Sequence, residues 1–145
     1  MTIKNIACCT DFSENADSAF NMALDLAEKY KAKLFVIHVL PPPVNPMLSD
    51  TEWVMPEIPR ETLMQKLERL MDEKYSSKIL ESVECQIVVL DGHVSSEIIK
   101  YLETNPIDLV VLGSYGLTGM GLVFFGSVAK RVAHKAPCSV MIARG

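Results

Sequence analysis

Two patterns of apolar residues alternate along the chain, short continuous runs and longer stretches with helical spacing. A continuous run is typical of a strand covered on both faces, and apolar residues three and four positions apart are typical of an amphipathic helix. The patterns predict five strands, within residues 3–9, 32–40, 83–90, 108–112 and 139–143, and four helices, within 13–30, 61–79, 95–105 and 127–136. Such alternation predicts an α/β fold, a doubly wound parallel sheet with helices on both faces, in one domain over residues 1–145.

One connection is much longer than the others. Residues 41–60 carry six of the eight prolines and the only tryptophan, Trp53, which excludes a regular helix or a central strand through most of the segment. A surface connection and a functional lid or contact surface are both compatible with this composition. The turn after the first strand is short by comparison, because Ser13 is placed to cap the first helix.

Composition and charge narrow the class of protein. With 145 residues, 49% of them hydrophobic and 22% charged, the chain has the balance of a globular protein with one core. A net charge of -4 and the lack of a run of lysines and arginines disfavour nucleic acid as a partner. We expect no membrane association and a cytoplasmic protein, because neither a signal peptide nor a segment of membrane-spanning length is evident.

The cysteines and histidines do not have the spacing of a metal site. Cys8 and Cys9 are adjacent on a predicted strand, so their side chains point to opposite faces, and burial is favoured over a redox role. The carboxylates near strand ends, Asp11 and Asp91, have no second acid beside them to tune a general base. The sequence therefore offers no convincing apparatus for hydrolysis. The other members of these sets are Cys85, Cys138, His38, His93 and His134.

The glycines are concentrated at one place. Five of the seven lie between Gly113 and Gly126, directly after the fourth predicted strand. Because glycine costs conformational entropy on folding, such a cluster indicates tight turns or a ligand that approaches the backbone closely. Ligands of open parallel sheets bind beyond the carboxyl ends of the strands, where the loops after the first and fourth strands both lie. These loops face each other if the two strands are neighbours.

The end of the glycine cluster has the chemistry of an anion site. Gly126 and Ser127 enter the fourth helix, whose first amide groups are unpaired and carry partial positive charge. Ser127 adds a hydroxyl, and Gly126 lets an oxyanion approach the backbone, so a phosphate is the natural ligand. The alternative is that Ser127 only caps its helix and that the glycines only form turns. A Walker A loop is excluded and an ordinary NAD or FAD site is disfavoured, because no glycine precedes a lysine and the first turn lacks glycine.

The spacing of the glycines resembles a family motif. Gly113-x-x-Gly116, nine residues and Gly126-Ser127 match the G-2x-G-9x-G-[ST] nucleotide motif of the universal stress protein family. The resemblance extends over nearly the whole chain. Residues 9–27 resemble the family's first strand and helix, residues 34–40 its second strand and residues 126–144 its C-terminal signature.

The resemblance implies an ATP-binding domain with strand order 3-2-1-4-5 that forms a homodimer through its C-terminal strand. Asp11 would contact the adenosine, and the backbone of Val39 would line the adenine pocket. The first two glycines of the motif would pass close to the ribose and phosphates, and the start of the last helix would hold the phosphate tail, with Mg²⁺ or Mn²⁺ balancing its charge. The implied nucleotide-binding residues are Thr10, Asp11, Val39, Leu112, Gly113, Gly116, Gly126, Ser127 and Val128.

The glycine loop departs from the pattern of ATP-binding members of that family. They commonly carry a basic residue just after the second glycine and another within the insert, where this chain has Leu117 and Gly121-Leu122. No charged residue occurs from Gly113 to Ala129, and the "LVFF" stretch of residues 122–125 makes the insert unusually apolar. Burial against a dimer partner and docking of another protein are both open for this stretch.

Three functions are compatible with these patterns. The glycine motif favours an ATP-binding regulatory protein of stress response, which changes shape or partner with nucleotide occupancy and hydrolyses ATP slowly at most. The uncharged loop favours the alternative, a dimeric interaction module that works without nucleotide through residues 117–125 and 41–60. An enzyme, either a nucleotide hydrolase or a relative that transfers adenylyl groups, is disfavoured because the sequence offers binding groups without a nucleophile or base.

Overall fold

The computed structural model describes residues 2–43, 58–79, 81–114 and 126–144. Strands and helices alternate along these ranges, as the apolar pattern predicts. The second helix is shorter than predicted, because its last turn tightens into a 3₁₀ turn, Ser76–Lys78. The elements are β1 (Asn5–Cys9), α1 (Glu14–Tyr30), β2 (Lys33–Leu40), α2 (Arg60–Tyr75), β3 (Cys85–Asp91), α3 (Val94–Thr104), β4 (Leu109–Gly113), α4 (Ser127–Lys135) and β5 (Ser139–Ala143).

The five strands form one parallel sheet in the order β3-β2-β1-β4-β5. The central strand β1 pairs with β2 in the register Asn5↔Lys33 and with β4 in the register Ile6↔Leu109. The predicted doubly wound α/β fold and its strand order are confirmed. Because β1 and β4 are neighbours, the loops that follow them lie side by side at the carboxyl edge of the sheet.

Each face of the sheet is covered by its own pair of helices. On one face, Phe20 of α1 and Met71 of α2 pack against Cys8 and other residues of the strands. On the other face, α3 and α4 pack against Cys9 and its neighbours. The two adjacent cysteines therefore serve opposite layers, as predicted, and both are buried, whereas the other two, Cys85 and Cys138, are only half-buried.

The first helix begins as its sequence predicts. Ser13 is the N-cap, and its Oγ accepts a hydrogen bond of 3.2 Å from the amide of Ala16. Glu14 and Asp17 lie in the first turn, where negative charge is favourable. The C-cap of the helix is Lys31, which has a φ of 56° in the left-handed region. None of the helices within the described ranges combines the length and the apolarity that a membrane span needs.

Candidate functional site

A cavity of about 440 Å³ opens at the carboxyl edge of the sheet. Its walls come from the ends of β1, β2 and β4 and from the first turns of α1, α3 and α4. Most of the lining side chains are apolar, and the polar ones include Thr10, Asp11, His38 and Ser127. A mainly apolar cleft of this size with a few convergent polar groups is typical of a small-molecule site.

The cavity brings together the residues that the sequence predicts for a nucleotide site. The loop after β1 and the start of α4, which are far apart in the chain, both line it. Gly116 lies outside the described residues, and that part of the prediction has no structural counterpart here. The predicted residues that line the cavity are Thr10, Asp11, Val39, Leu112, Gly113, Gly126, Ser127 and Val128. Their contact with a nucleotide stays a prediction.

Side chains from other elements hold the loop after β1 in place. The hydroxyl of Thr10 lies 2.5 Å from the phenol oxygen of Tyr75 in α2, and it also accepts a hydrogen bond of 3.0 Å from the amide of Phe12. Asp11 Oδ1 accepts a hydrogen bond of 3.0 Å from the amide of Ser13. Each residue at the start of this loop is therefore fixed by a bond that involves a side chain.

Phe12 has an unusual backbone conformation. Its φ is 66°, a left-handed value that is uncommon for a bulky side chain. The surrounding groups keep it there, since its ring lies 4.7 Å from the His38 ring, and Lys74 Nζ lies 5.5 Å from the centre of the Phe12 ring. Lys74 is itself held by Asp17, 3.1 Å away. This conformation turns the chain sharply from β1 into α1, next to the cavity.

His38 lies on the cavity wall at the end of β2. Its Nδ1 is 2.8 Å from the carbonyl oxygen of Thr10, and a carbonyl oxygen only accepts, so Nδ1 carries the proton. Burial lowers the pKa of the His38 imidazole below its ordinary value. The ring is therefore neutral at pH 7, and its Nε2 is a hydrogen-bond acceptor.

The start of α4 is built from backbone groups. Gly126 is the N-cap of α4. The first hydrogen bond of the helix runs from the amide of Lys130 to the carbonyl oxygen of Gly126, at 3.0 Å. The first amides of a helix have no acceptor in the helix itself, and here they belong to Ser127, Val128 and Ala129, all of which line the cavity. Ser127 is the first helical residue rather than the cap, so the predicted capping role is wrong, whereas the alternative that the glycines only form turns stays open.

The structure requires glycine at one of the two described positions of the motif but not at the other. A Cβ on Gly113 would lie 2.7 Å from the carbonyl oxygen of Asn15 in α1, so the close packing of α1 on β4 requires glycine there. Gly126 has φ of -56° and ψ of 150°, values that any residue adopts, so backbone strain does not require glycine. Its amide donates a hydrogen bond of 2.6 Å to Ser114, which joins the two ends of the 115–125 segment.

The long connection before α2 is closed by one arginine. Arg60 Nη2 donates to the carbonyl oxygens of Leu40 at 3.2 Å and of Pro41 at 2.8 Å. The same guanidinium forms two hydrogen bonds of 3.0 Å from Nε to the Asp91 carboxylate and a third of 2.5 Å from Nη2. These bonds lower the pKa of Asp91, whose role is thus to anchor the chain beside the cavity. Residues 44–57 lie outside the described residues, so both interpretations of this segment stay open.

A comparison of the sequence with known protein families shows to which family the chain belongs. The model of the universal stress protein family matches residues 2–144. The chain belongs to the universal stress protein family. Universal stress protein MJ0531 of Methanocaldococcus jannaschii is 29% identical to it, over 97% of this chain and 82% of the relative. A universal stress protein of Thermus aquaticus is also 29% identical, over 97% of this chain and 98% of the relative.

Solved universal stress proteins have the same fold. Universal stress protein UspA from Lactobacillus plantarum has a TM-score of 0.75 and 25% identity, and the match covers 99% of both chains. A universal stress protein in complex with cAMP has a TM-score of 0.68 and 17% identity, covering 99% of this chain and 98% of the other. The universal stress protein from Archaeoglobus fulgidus in complex with dAMP has a TM-score of 0.60 and 18% identity, covering 99% of both.

In this universal stress protein the cavity is also lined by residues that the sequence did not predict. Val94 and Ile98 of α3 contribute, and their apolar spacing of four residues was the only local signal. Cys9 also lines the cavity, but burial raises the pKa of its thiol to about 12, which does not favour the redox role considered above. Within the described ranges, no group of three His, Cys, Asp or Glu side chains could hold a metal ion. The missed lining residues are Cys9, Ala16, Ile37, His38, Pro41, Val94, Ile98 and Ala129.

Proposed function

We propose that this universal stress protein binds an adenine nucleotide, with ATP as the first candidate, and acts as a nucleotide-dependent regulator of stress response. The observation that carries the proposal is that one cavity gathers the β1 loop and the start of α4, with the motif residues of both on its wall. Occupancy would change the shape or the partner of the protein.

The parts of the cavity suit the parts of such a ligand. Apolar side chains of β2 and α3, including Val39 and Ile98, form a wall for the adenine ring. The Asp11 carboxylate is the acceptor available for the ribose hydroxyls. The free amides at the start of α4, with the Ser127 hydroxyl, suit the first phosphate. The related proteins solved with cAMP and with dAMP support a nucleotide of this class.

We propose that Mg²⁺ or Mn²⁺ accompanies ATP and is held mainly through its phosphates. Asp11 is the carboxylate on the cavity wall, and a single carboxylate with phosphate oxygens and water is an ordinary environment for Mg²⁺. The metal would supply positive charge to the phosphate tail. Hydrolysis would be slow at most, because no carboxylate pair or activated nucleophile lines the described part of the cavity.

We further propose a homodimer that pairs through β5. This strand is the last in the sheet order, and it presents Val140, Met141 and Ile142, all half-buried in the single chain. An edge strand with apolar side chains is a template for pairing with a second copy. A possible protein partner would then bind the dimer in its nucleotide-dependent shape.

Thermal unfolding with and without millimolar ATP and Mg²⁺ tests the proposal, beside mass spectrometry for nucleotide carried through purification. A ligand at a hundred times its Kd adds about 2.7 kcal/mol to the free energy of unfolding, which raises Tm by several degrees. In Gly126→Val the shift should disappear, because the new side chain fills the approach to the α4 amides. The Tm of this variant without ligand should stay within about 4 °C of wild type, since its backbone suits any residue.

Two results would argue against the proposal. An undiminished shift in Gly126→Val would place the phosphates elsewhere. If wild type showed no shift and no bound nucleotide, the nucleotide-independent interaction module would become the better hypothesis. A pull-down partner that is lost on changing Phe124 and Phe125 to Ser would then support that module.

A further inference from the structure

The helix α2 is attached to the rest of the molecule at few points. All 16 of its residues lie in the described part of the chain, and two of them are buried, Met71 and Tyr75, both near its C-terminal end. By comparison, α1 buries five of its 17 residues and α3 buries four of its 11. An element with few buried side chains opens at a lower free energy than the rest of a fold. The docking of α2 therefore depends on the contacts of its last turns.

One of these contacts ends on the cavity wall. Tyr75 is completely buried, and its phenol oxygen lies 2.5 Å from the hydroxyl of Thr10, which lines the cavity. Thr10 is itself only 6% exposed. Because separating the two buried hydroxyls would leave each without this partner, each holds the other in place. The bond thus joins α2 to the strand end that carries Thr10 and Asp11.

A second group of contacts joins α2 to Phe12. Lys74 Nζ lies 5.5 Å from the centre of the Phe12 ring and 3.1 Å from Asp17 Oδ1 in α1. The ring of Tyr75 is stacked with that of Phe12, with 6.5 Å between the ring centres. Phe12 has a left-handed φ of 66°, a conformation that persists only where surrounding contacts enforce it. Since some of these contacts come from α2, the docked helix helps to keep the loop after β1 in its observed shape.

This loop connects the two faces of the sheet. The cavity-lining residues Val39 and Ile98 belong to the core of the α3 and α4 face, whereas Met71 and Tyr75 belong to the core of the other face. Thr10 lies between them, on the cavity wall and bonded to Tyr75. A change of the loop at the cavity therefore reaches a helix on the opposite face.

We propose that occupancy of the cavity is coupled to the docking of α2. A nucleotide in contact with the loop after β1 favours the loop conformation to which Tyr75 is bonded, and so holds the last turn of α2 on the sheet. By the reciprocity of linked equilibria, the docked helix raises nucleotide affinity by the same factor. The inference rests on the proposed function and specifies how occupancy changes the shape of the protein.

Hydrogen exchange of the full chain, followed by mass spectrometry with and without saturating ATP and Mg²⁺, tests the coupling. In wild type, the ligand should slow exchange in residues 68–75 about fivefold, which is the lower end of typical coupling between two sites. Exchange in the loop after β1 and at the start of α4 should also slow, and these two segments report binding itself.

A matched pair of tyrosine variants shows whether the Thr10–Tyr75 bond carries the coupling. In Tyr75→Phe at saturating ligand, the slowing in residues 68–75 should fall below about twofold, while the segments that report binding still respond. Tyr30 is 53% exposed at the end of α1, so Tyr30→Phe should keep the response of wild type.

The outcomes separate this inference from the proposed function. If ATP slows exchange at the loop after β1 and at α4 but not in residues 68–75 of wild type, the coupling is wrong, while nucleotide binding stands. Undiminished slowing of residues 68–75 in Tyr75→Phe also overturns the inference, because the bond to Thr10 would not carry the coupling. If no segment of wild type responds to ATP and Mg²⁺, the proposed function fails together with the inference.

Discussion

The two ends of the cavity are built by different means. At the β1 end, Tyr75 of α2 and His38 of β2 fix the chain through side-chain hydrogen bonds to Thr10. At the α4 end, the first residue is held by a bond between backbone groups, from the Gly126 amide to the Ser114 carbonyl. One end is thus tied to the packing of distant elements, and the other presents amides that have no acceptor within the helix.

The difference indicates that the two ends of the cavity suit different parts of a ligand. The side-chain end has a fixed shape, which suits the recognition of a rigid base and sugar. The backbone end carries amide donors at a helix N-terminus, which suit an anion. Changes at the first end should therefore alter stability and binding together, whereas changes at the second should alter binding alone.

The largest expected effect comes from comparing the two glycines that flank the 115–125 segment. In Gly113→Val the new Cβ meets the Asn15 carbonyl oxygen at 2.7 Å, a backbone contact that can be relieved only by moving α1. Overpacking of this kind costs about 3 kcal/mol, which lowers Tm by roughly 10 °C. Thermal unfolding without ligand measures it, with Gly126→Val as the matched control. If Tm fell equally in Gly113→Val and Gly126→Val, the close packing of α1 on β4 would not be what distinguishes the two positions.

A smaller effect is expected from Tyr75→Phe at the side-chain end. The change leaves the Thr10 hydroxyl without its 2.5 Å partner, so the free energy of unfolding should fall by about 1–2 kcal/mol. Nucleotide affinity should also fall a few-fold, roughly threefold, because the loop that carries Asp11 loosens. Calorimetry and thermal unfolding measure the two effects.

Tyr30→Phe is the control for that variant, since Tyr30 is 53% exposed at the end of α1. It should leave both stability and affinity unchanged. A loss of stability in Tyr75→Phe without any change of affinity would mean that α2 supports the fold but does not organise the cavity.

The pH dependence of stability gives a third and weaker test. Burial lowers the pKa of His38 in the folded protein below its ordinary value of 6.5, so on acidification the unfolded chain takes up this proton first. The stability that neutral His38 contributes is complete above pH 6.5, and it is lost as the pH falls toward the pKa of His38 in the folded protein. Between pH 7.5 and 5.5, Tm of wild type should therefore fall more than that of His38→Gln. Parallel curves for the two proteins would assign the acid sensitivity to other groups.

The sequence predicts the elements of this fold well but not the contacts between them. Continuous apolar runs define the strands because helices cover both faces of the sheet. The strand order and the adenosine contacts were available only through the resemblance to a family, whereas the residues themselves indicated the anion site at Gly126 and Ser127. The Thr10–Tyr75 bond joins residues 65 positions apart, and no local pattern indicates such a contact. The need for glycine at 113 likewise depends on where α1 crosses β4.

The smallest effect is expected at the bonds that join the two ends of a long segment. One such set of bonds is made by side chains and the other by backbone groups. Arg60 closes the segment before α2 through Asp91 and two carbonyls, whereas the Gly126–Ser114 backbone bond closes the glycine segment. Both members of the ion pair are partly exposed, with 33% and 41% of their side chains accessible, and such pairs contribute little to stability. Asp91→Asn should therefore change Tm less than Tyr75→Phe does.

Asp91→Asn still has a consequence for the cavity, because Pro41 lies on its wall and accepts a hydrogen bond from Arg60. Loosening the guanidinium would weaken the bond that holds Pro41, so nucleotide affinity should fall slightly, by less than about twofold. Asp25→Asn is the matched control, since Asp25 forms an exposed ion pair with Lys29 on α1, and neither residue lines the cavity. If the two variants had the same nucleotide affinity, Arg60 would anchor the chain before α2 without influencing the cavity.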